Sequence, residues 1–259
     1  MEKTIKKISD KIYYAEKNHQ FIEPISIVCS NIGINEAYGI QFNNVKRKVA
    51  EGEIVIGKKV GLTNRKAQEK LGFNGPVFGY LFNSMNASEE AYIDMTELIR
   101  PKLEVEMAFL LKKDLRGPGI TISHVLQAAE GIFPAFEIVD SRYVGWKGNI
   151  MDIIADNVCA AKIALGENII PINFVNLKYL GVVLEKNGKI CKFGTGAAVL
   201  GQPALAVAWL ANKMAEFNLS LKAGEIILSG ALFEPIEINT NDIYQATMGD
   251  YSNVRKVFK

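Results

Sequence analysis

The hydrophobic period changes near Gly52, and this change limits the possible folds more than any other feature of the 259-residue chain. Before it, Ile5, Ile8, Ile12 and Ala15 recur at three- and four-residue steps, the spacing of one helix face. A second helix is expected from Asn35, an acceptable N-cap, through Ala37, Ile40, Val45 and Val49 to a stop at Gly52. Phe21 to Ile32, which contains Pro24, reads as the connecting loop. After Gly52 the pattern is that of strands. Glu53 to Leu62 reads as a strand, followed by a polar turn and a short helix over Thr63 to Leu71. In Lys102 to Lys112, Leu103, Val105, Met107 and Phe109 face one way and Lys102, Glu104, Glu106 and Ala108 the other. A helix capped by Thr121 or Ser123, a short strand from Pro134 to Asp140 and a hairpin turning at Asn187-Gly188 follow. Pro203 opens a further helix to Phe217, and strands at Glu225–Ser229, Ile236–Asn239 and Ile243–Thr247 end the pattern. These strands are not separated by regular crossover helices, which argues against a doubly wound parallel sheet. The expectation is an α+β protein with a helical portion over 1–52 and a mixed β body over 53–259, forming one compact unit.

Composition narrows the chemistry. With only His19 and His124 in the chain, a histidine-rich zinc site or a Ser-His-Asp triad has little to work with. A formal charge of +2 marks neither a nucleic-acid binder nor a polybasic membrane binder. There is no GxGxxG after a strand and no Walker A loop, so nucleotide binding has no support. Membrane association is not expected, because the richest apolar stretch, Ala197 to Ala211, is broken by Gly201, Gln202 and Pro203. No signal-peptide pattern opens the chain, and Cys29, Cys159 and Cys191 form no CxxC, so a reducing cytoplasm is the expected location. What remains is chemistry by carboxylates and lysines.

Glu104 and Glu106 stand at i and i+2 of a strand, so both leave one face about 7 Å apart at Cα. Like charges this close want a positive group between them, and a divalent cation such as Mg²⁺ or Mn²⁺ is the economical one. Glu137, inside the apolar run Phe136-Glu137-Ile138-Val139, offers a third carboxylate that burial obliges to find a partner. A solvated acidic strand face is the alternative for the Glu-x-Glu pair. In Lys58-Lys59, neighbouring side chains face opposite ways, so one lysine can point inward while the other is solvated. An inward lysine is a candidate for proton transfer, but from the spacing alone two exposed lysines at a strand end are the plainer reading.

Seven ordered segments carry a family resemblance: Ile56-Gly-Lys-Lys-Val-Gly-Leu-Thr63, Pro76-Val-Phe-Gly79, Pro101-Lys-Leu-Glu-Val-Glu-Met-Ala108, Glu137-Ile-Val-Asp-Ser-Arg142, Ala155-Asp-Asn157, Gly194-Thr-Gly-Ala-Ala-Val-Leu-Gly-Gln-Pro203 and Gly224-Glu-Ile-Ile-Leu-Ser-Gly230. From about residue 35 onward the chain resembles the 2-oxopent-4-enoate hydratase / 4-oxalocrotonate decarboxylase family, whose fold is a fumarylacetoacetate-hydrolase-like mixed β-sheet roll. The resemblance implies a cytoplasmic, homo-oligomeric, Mg²⁺- or Mn²⁺-dependent lyase of aromatic meta-cleavage catabolism, acting on a small 2-oxo acid through a metal-stabilised dienolate. It implies that Glu104, Glu106 and Glu137 hold the metal and that Lys59 is the acid–base or electrostatic residue. It places Leu62, Thr63, Val77, Arg142, Asp156 and Cys159 around the substrate.

Val77 separates the two activities. Hydratases of the family carry Asp there, to hold or deprotonate the added water, and a valine cannot do this. Decarboxylases carry an aliphatic residue, and an apolar wall destabilises a departing carboxylate relative to the spread-out dienolate. Ser141-Arg142-Tyr143, Ile153 and Lys162 lean the same way. Trp146-Lys147, Val207 to Asn212 and Ser229 to Leu232 are more similar to hydratases. The expectation is decarboxylation of 4-oxalocrotonate (2-oxohex-3-enedioate), in a possible complex with a hydratase partner. 2-Oxopent-4-enoate hydratase is the alternative, and a catalytically decayed metal or oxo-acid binder comes third. Cys159 departs from the family's usual serine, and Gly249 to Arg255 is an atypical end. A related branch of the fold cleaves C–C bonds with a His–Glu pair, but neither histidine here falls in such a motif.

Overall fold

The computed structural model describes residues 2–29 and 31–259. Met1, and Ser30 within the expected connecting loop, lie outside the described residues. Helices α1 (Glu2–Lys17), α2 (Ile25–Val28) and α3 (Ile34–Ala50) lead into β1 (Val55–Gly61), α4 (Arg65–Leu71), β2 (Val77–Phe82) and β3 (Lys102–Leu111). Then come α5 (Ile122–Ala128), β4 (Ala129–Val139), α6 (Ile150–Ala155), β5 (Ala160–Leu165), β6 (Ile170–Pro171), β7 (Gly181–Lys186) and β8 (Lys189–Thr195). The chain closes with α7 (Pro203–Ala215), β9 (Ile226–Ala231), β10 (Ile236–Glu237), β11 (Ile243–Met248) and β12 (Ser252–Val257).

The larger sheet runs β2-β1-β9-β3-β4-β5, with β10 on β3 and β6 on β4; the smaller runs β12-β11-β7-β8. Between these strands only β1 and β9 pair in parallel, so β9 enters late in the chain as the bridge between β1 and β3. The smaller sheet packs on β4 through β11 and β12. On β2, Phe78 and Tyr80 point away from Val77 and Gly79, as alternation requires. Phe78 stacks on Tyr38 of α3 at 4.6 Å between ring centroids, and Phe42 and Phe217 complete the aromatic cluster. The helices thereby cover one face of β1 and β2, and the other face is left for the site.

Three expectations are corrected. The segment over Phe21 to Ile32 contains the helical turn α2, and Ile22 bridges Tyr143, so it is more ordered than a bare loop. The second helix starts at Ile34, because the Glu36 carboxylate reaches back to accept the Gly33 N–H and makes Gly33 the cap. The strand expected from Pro134 begins at Ala129. Pro134 falls in the gap between the β5 and β6 ladders, where its carbonyl still accepts the Gly166 N–H at 2.8 Å, so the strand tolerates it.

Candidate metal centre

The β3–β4 register sets Glu104 directly opposite Glu137, with Glu106 two residues along on the same face. Glu106 and Glu137 are buried and Glu104 is partly buried; one oxygen from each lies within 4.8 Å of the others. Lys59 reaches them from β1 across Leu228, which pairs with both Lys59 and Ala108. Its Nζ lies 2.5 Å from Glu137 Oε1 and donates to the Val158 carbonyl at 3.0 Å. The ammonium sits off the direction a hydrogen bond to Glu137 needs, so neither Glu137 oxygen has a hydrogen-bond partner.

Facing β3, the register of β9 slips: Ala108 pairs with Leu228 but Glu106 pairs with Ala231, leaving an extra residue at Ser229–Gly230. Such bulges re-aim backbone groups beside active sites. Here the bulge turns the Gly230 N–H onto Glu106 Oε2 at 2.6 Å. Gly230 has φ +117° and lies against the Thr63 side chain, leaving no room for a Cβ.

Burial, against the pull of Lys59 and with the push of Glu137, raises Glu104 to about 7. Burial first, then Glu137 and Glu104, raise Glu106 well above the usual carboxylate range. Burial alone would lower Lys59, but the carboxylates, Glu137 foremost, push it up to about 12. Three carboxylates facing one ammonium leave a surplus of two negative charges, which a divalent cation with oxygen ligands balances. The buried, hydrogen-bond-free Glu137 carboxylate fits the same group.

Lys58, expected in solvent, is buried instead. It pairs with Glu225 on the helix-covered side of β1. Burial lowers its pKa against the attraction of Glu225.

Of the other residues placed around a substrate, Val77 is buried opposite Gly61, on the face that carries Lys59. The Val158 side chain fills the space beside Gly61 that a Cβ there would need. Leu62 is half-buried with φ +59°, and Thr63 is buried against Gly230. A cleft of about 1060 Å³, flanked by α4, Phe193 and Phe233, reaches inward to Thr63. Cys159 is buried, and burial together with Asp156 pushes its thiol up to about 12. Arg142 and Asp156 lie on the far side of the turn that carries Val158, bonded to each other. They border a small cavity with Ile12 and Glu16 of α1 and Gln41 and Lys48 of α3. Lys162 pairs with Glu97 and donates to Ser84 O. Gly230, Asn157 and Val158 gain their place at the site only from the fold. Asn157 and Gly230 stand inside quoted motifs, and an Asn or Gly there is a signal for left-handed backbone.

The mixed helices and curled sheets that carry this site are those of the fumarylacetoacetate-hydrolase-like fold. Residues 41–255 match the family described as fumarylacetoacetate (FAA) hydrolase C-terminal, and the chain belongs to that family. A 2-hydroxypent-2,4-dienoate hydratase of Pseudomonas putida is 41% identical over 222 residues, covering 85% of this chain and 100% of the relative. A 4-oxalocrotonate decarboxylase of Pseudomonas sp. (strain CF600) is 34% identical over 235 residues, covering 91% and 89%. The solved 4-oxalocrotonate decarboxylase from Pseudomonas putida G7, complexed with magnesium and adipate, superposes with a TM-score of 0.97 at 30% identity, covering 100% of this chain and 98% of that one. The relatives are therefore enzymes of two kinds, hydratases and decarboxylases. No described helix is long and apolar enough to cross a membrane.

Proposed function

We propose that the protein is a Mg²⁺- or Mn²⁺-dependent lyase that decarboxylates 4-oxalocrotonate (2-oxohex-3-enedioate) to 2-oxopent-4-enoate. Glu104, Glu106 and Glu137 would hold the cation, which when bound supplies a Lewis acid for the substrate's 2-oxo group. Lys59, charged and fixed between Glu137 and the Val158 carbonyl, presents Nζ–H to the oxyanion side of the dienolate and carries the proton it needs. Leu62, Thr63, Val77 and Cys159 form the substrate walls. Arg142 and Asp156 support them from behind the Val158 turn.

The observation that carries the choice of reaction is Val77. It is buried on the Lys59 face, and with Gly61 and Val158 it makes an apolar wall with no side-chain group to hold or deprotonate water. Hydration requires such a group and loss of CO₂ does not. The second reading, hydration of 2-hydroxypenta-2,4-dienoate, is favoured by the 41% identity to a hydratase.

One assay with both substrates, with Mg²⁺ and with Mn²⁺, decides between them. CO₂ release from 2-oxohex-3-enedioate is expected. Hydration alone would reverse the order, and analogue binding without turnover of either compound would mark a binding protein. Val77→Asp should cut CO₂ release at least about tenfold, by placing a charge on the apolar wall. A homo-oligomeric state, association with a hydratase partner and a cytoplasmic location belong to the same proposal. The exposed Phe174, Tyr179 and Phe193 support a surface for association, which light scattering would measure.

A further inference from the structure

We propose that Asn157 is a positioning residue for Lys59, holding a left-handed turn whose Val158 carbonyl fixes the lysine's ammonium over the carboxylates. The inference rests on the reading of Lys59 as the acid–base group. A lysine on its flexible four-carbon stem has much rotamer entropy to lose, so its aim depends on fixed acceptors. Lys59 has an ion pair with Glu137 Oε1 and one hydrogen-bond acceptor, Val158 O. A cation held by Glu137 competes for the first, and the Val158 carbonyl is then the acceptor that keeps Nζ in place.

That carbonyl points at Lys59 because of a costly piece of backbone. Asn157, Val158 and Cys159 have φ of 51°, 53° and 58°, three consecutive left-handed residues without a glycine among them. Left-handed backbone is costly outside glycine, and a β-branched valine is among the residues least suited to it. Such a conformation persists only where its surroundings impose it.

Asn157 imposes it from one side. Its Oδ1 accepts the Tyr80 N–H and its Nδ2 donates to the Tyr80 carbonyl, both at 2.8 Å, so one side chain pairs with β2 as a strand would. Tyr80 follows Gly79, the residue directly opposite Lys59. Gly79 admits the close approach: a Cβ there would stand 2.6 Å from the Asn157 carbonyl. The turn is therefore tied to the strand beside the lysine it serves. Arg142 holds the other side. Its guanidinium bonds the Asp156 carboxylate at 2.5 Å, the Asp156 carbonyl at 2.6 Å and the Ala160 carbonyl at 3.3 Å, bracketing the three left-handed residues.

Asn157→Gly tests this with the fold protected, because glycine accepts a positive φ while losing both bonds to Tyr80. Asn157→Asp is the second variant: near-isosteric, it loses the donor and sets a negative charge against the Tyr80 carbonyl. Each is measured on whichever of the two substrates the wild type turns over, with Mn²⁺ affinity read separately by titration calorimetry. Expected is a fall in kcat of about 10- to 100-fold with KM and the Mn²⁺ dissociation constant within about threefold of wild type. Wild-type kcat in both variants overturns the inference. So does a loss of metal affinity that matches the loss of kcat, which would mark a merely structural residue. Lys59→Met keeping wild-type turnover overturns instead the acid–base reading on which the inference rests, so the two failures are separable.

Discussion

Glu106 answers to two influences that act in opposite directions. Burial and its carboxylate neighbours push its proton affinity up, and Lys59 and then the bulged Gly230 N–H lower it. In the absence of metal the centre is therefore a proton store, with Glu104 near 7 and Glu106 above the usual range. A raised carboxylate pKa means protons are bound below it and must leave before a cation binds, so Mg²⁺ affinity should rise with pH between about 6 and 8. Calorimetry in buffers of different ionisation enthalpy should show proton release on binding; affinity independent of pH would contradict the arrangement. Glu106→Gln should abolish turnover and weaken Mg²⁺ binding, and full activity without added metal would sink the metal-lyase reading. Gly230→Ala should lose most of its activity, since the new methyl meets Thr63 and strains a φ of +117°, releasing the N–H from Glu106. The carboxylates were legible one by one, because a Glu inside an apolar strand is conspicuous. The bulge was not, because Ser-Gly looks like ordinary strand punctuation until its partner strand is known.

Legibility among the elements followed exposure. β3 could be read residue by residue because its two faces differ chemically. β2 could not: all its residues are buried, with aromatic packing on one face and the site on the other, so no alternation survives. Lys58 was misread for a related reason, since Glu225 stands 167 residues away and local sequence cannot reveal the pair. Removing one member of that buried pair leaves the other uncompensated. Lys58→Met should cost about 3 kcal/mol in urea unfolding, and Lys58→Met with Glu225→Leu should regain most of it. In the smaller sheet, Asp242 ties the Asn187 turn to the start of β11, accepting from Asn187 Nδ2, Lys186 Nζ and Asn239 N. Burial opposes its charge, but these donors hold it down at about 2. A depressed carboxylate stabilises the fold fully above its unfolded value near 4 and loses that contribution as pH falls through 2. Acid unfolding followed between pH 4 and 2 should therefore be shallower in Asp242→Asn, and an unchanged profile would show that Asp242 contributes nothing.

For the molecule as a whole, the centre is a small part of a large core, and the core does not depend on it. The apolar cluster runs from Ile8 in α1 to Phe258 after β12. Chelators should leave the protein folded, unlike a zinc finger. Saturating Mg²⁺ at a hundred times its dissociation constant should add about 2.7 kcal/mol, a rise in Tm of about 5–10 °C. Calorimetry should find that shift missing in Glu106→Gln. The place of β9 also has a meaning for the protein's birth. Because β9 lies between β1 and β3, a nascent chain that has left the ribosome only as far as β8 holds Lys59 on one fragment of sheet and its carboxylates on another. Synthesis must deliver the last strands before the two halves meet, so the lysine joins the carboxylates only when the chain is nearly complete.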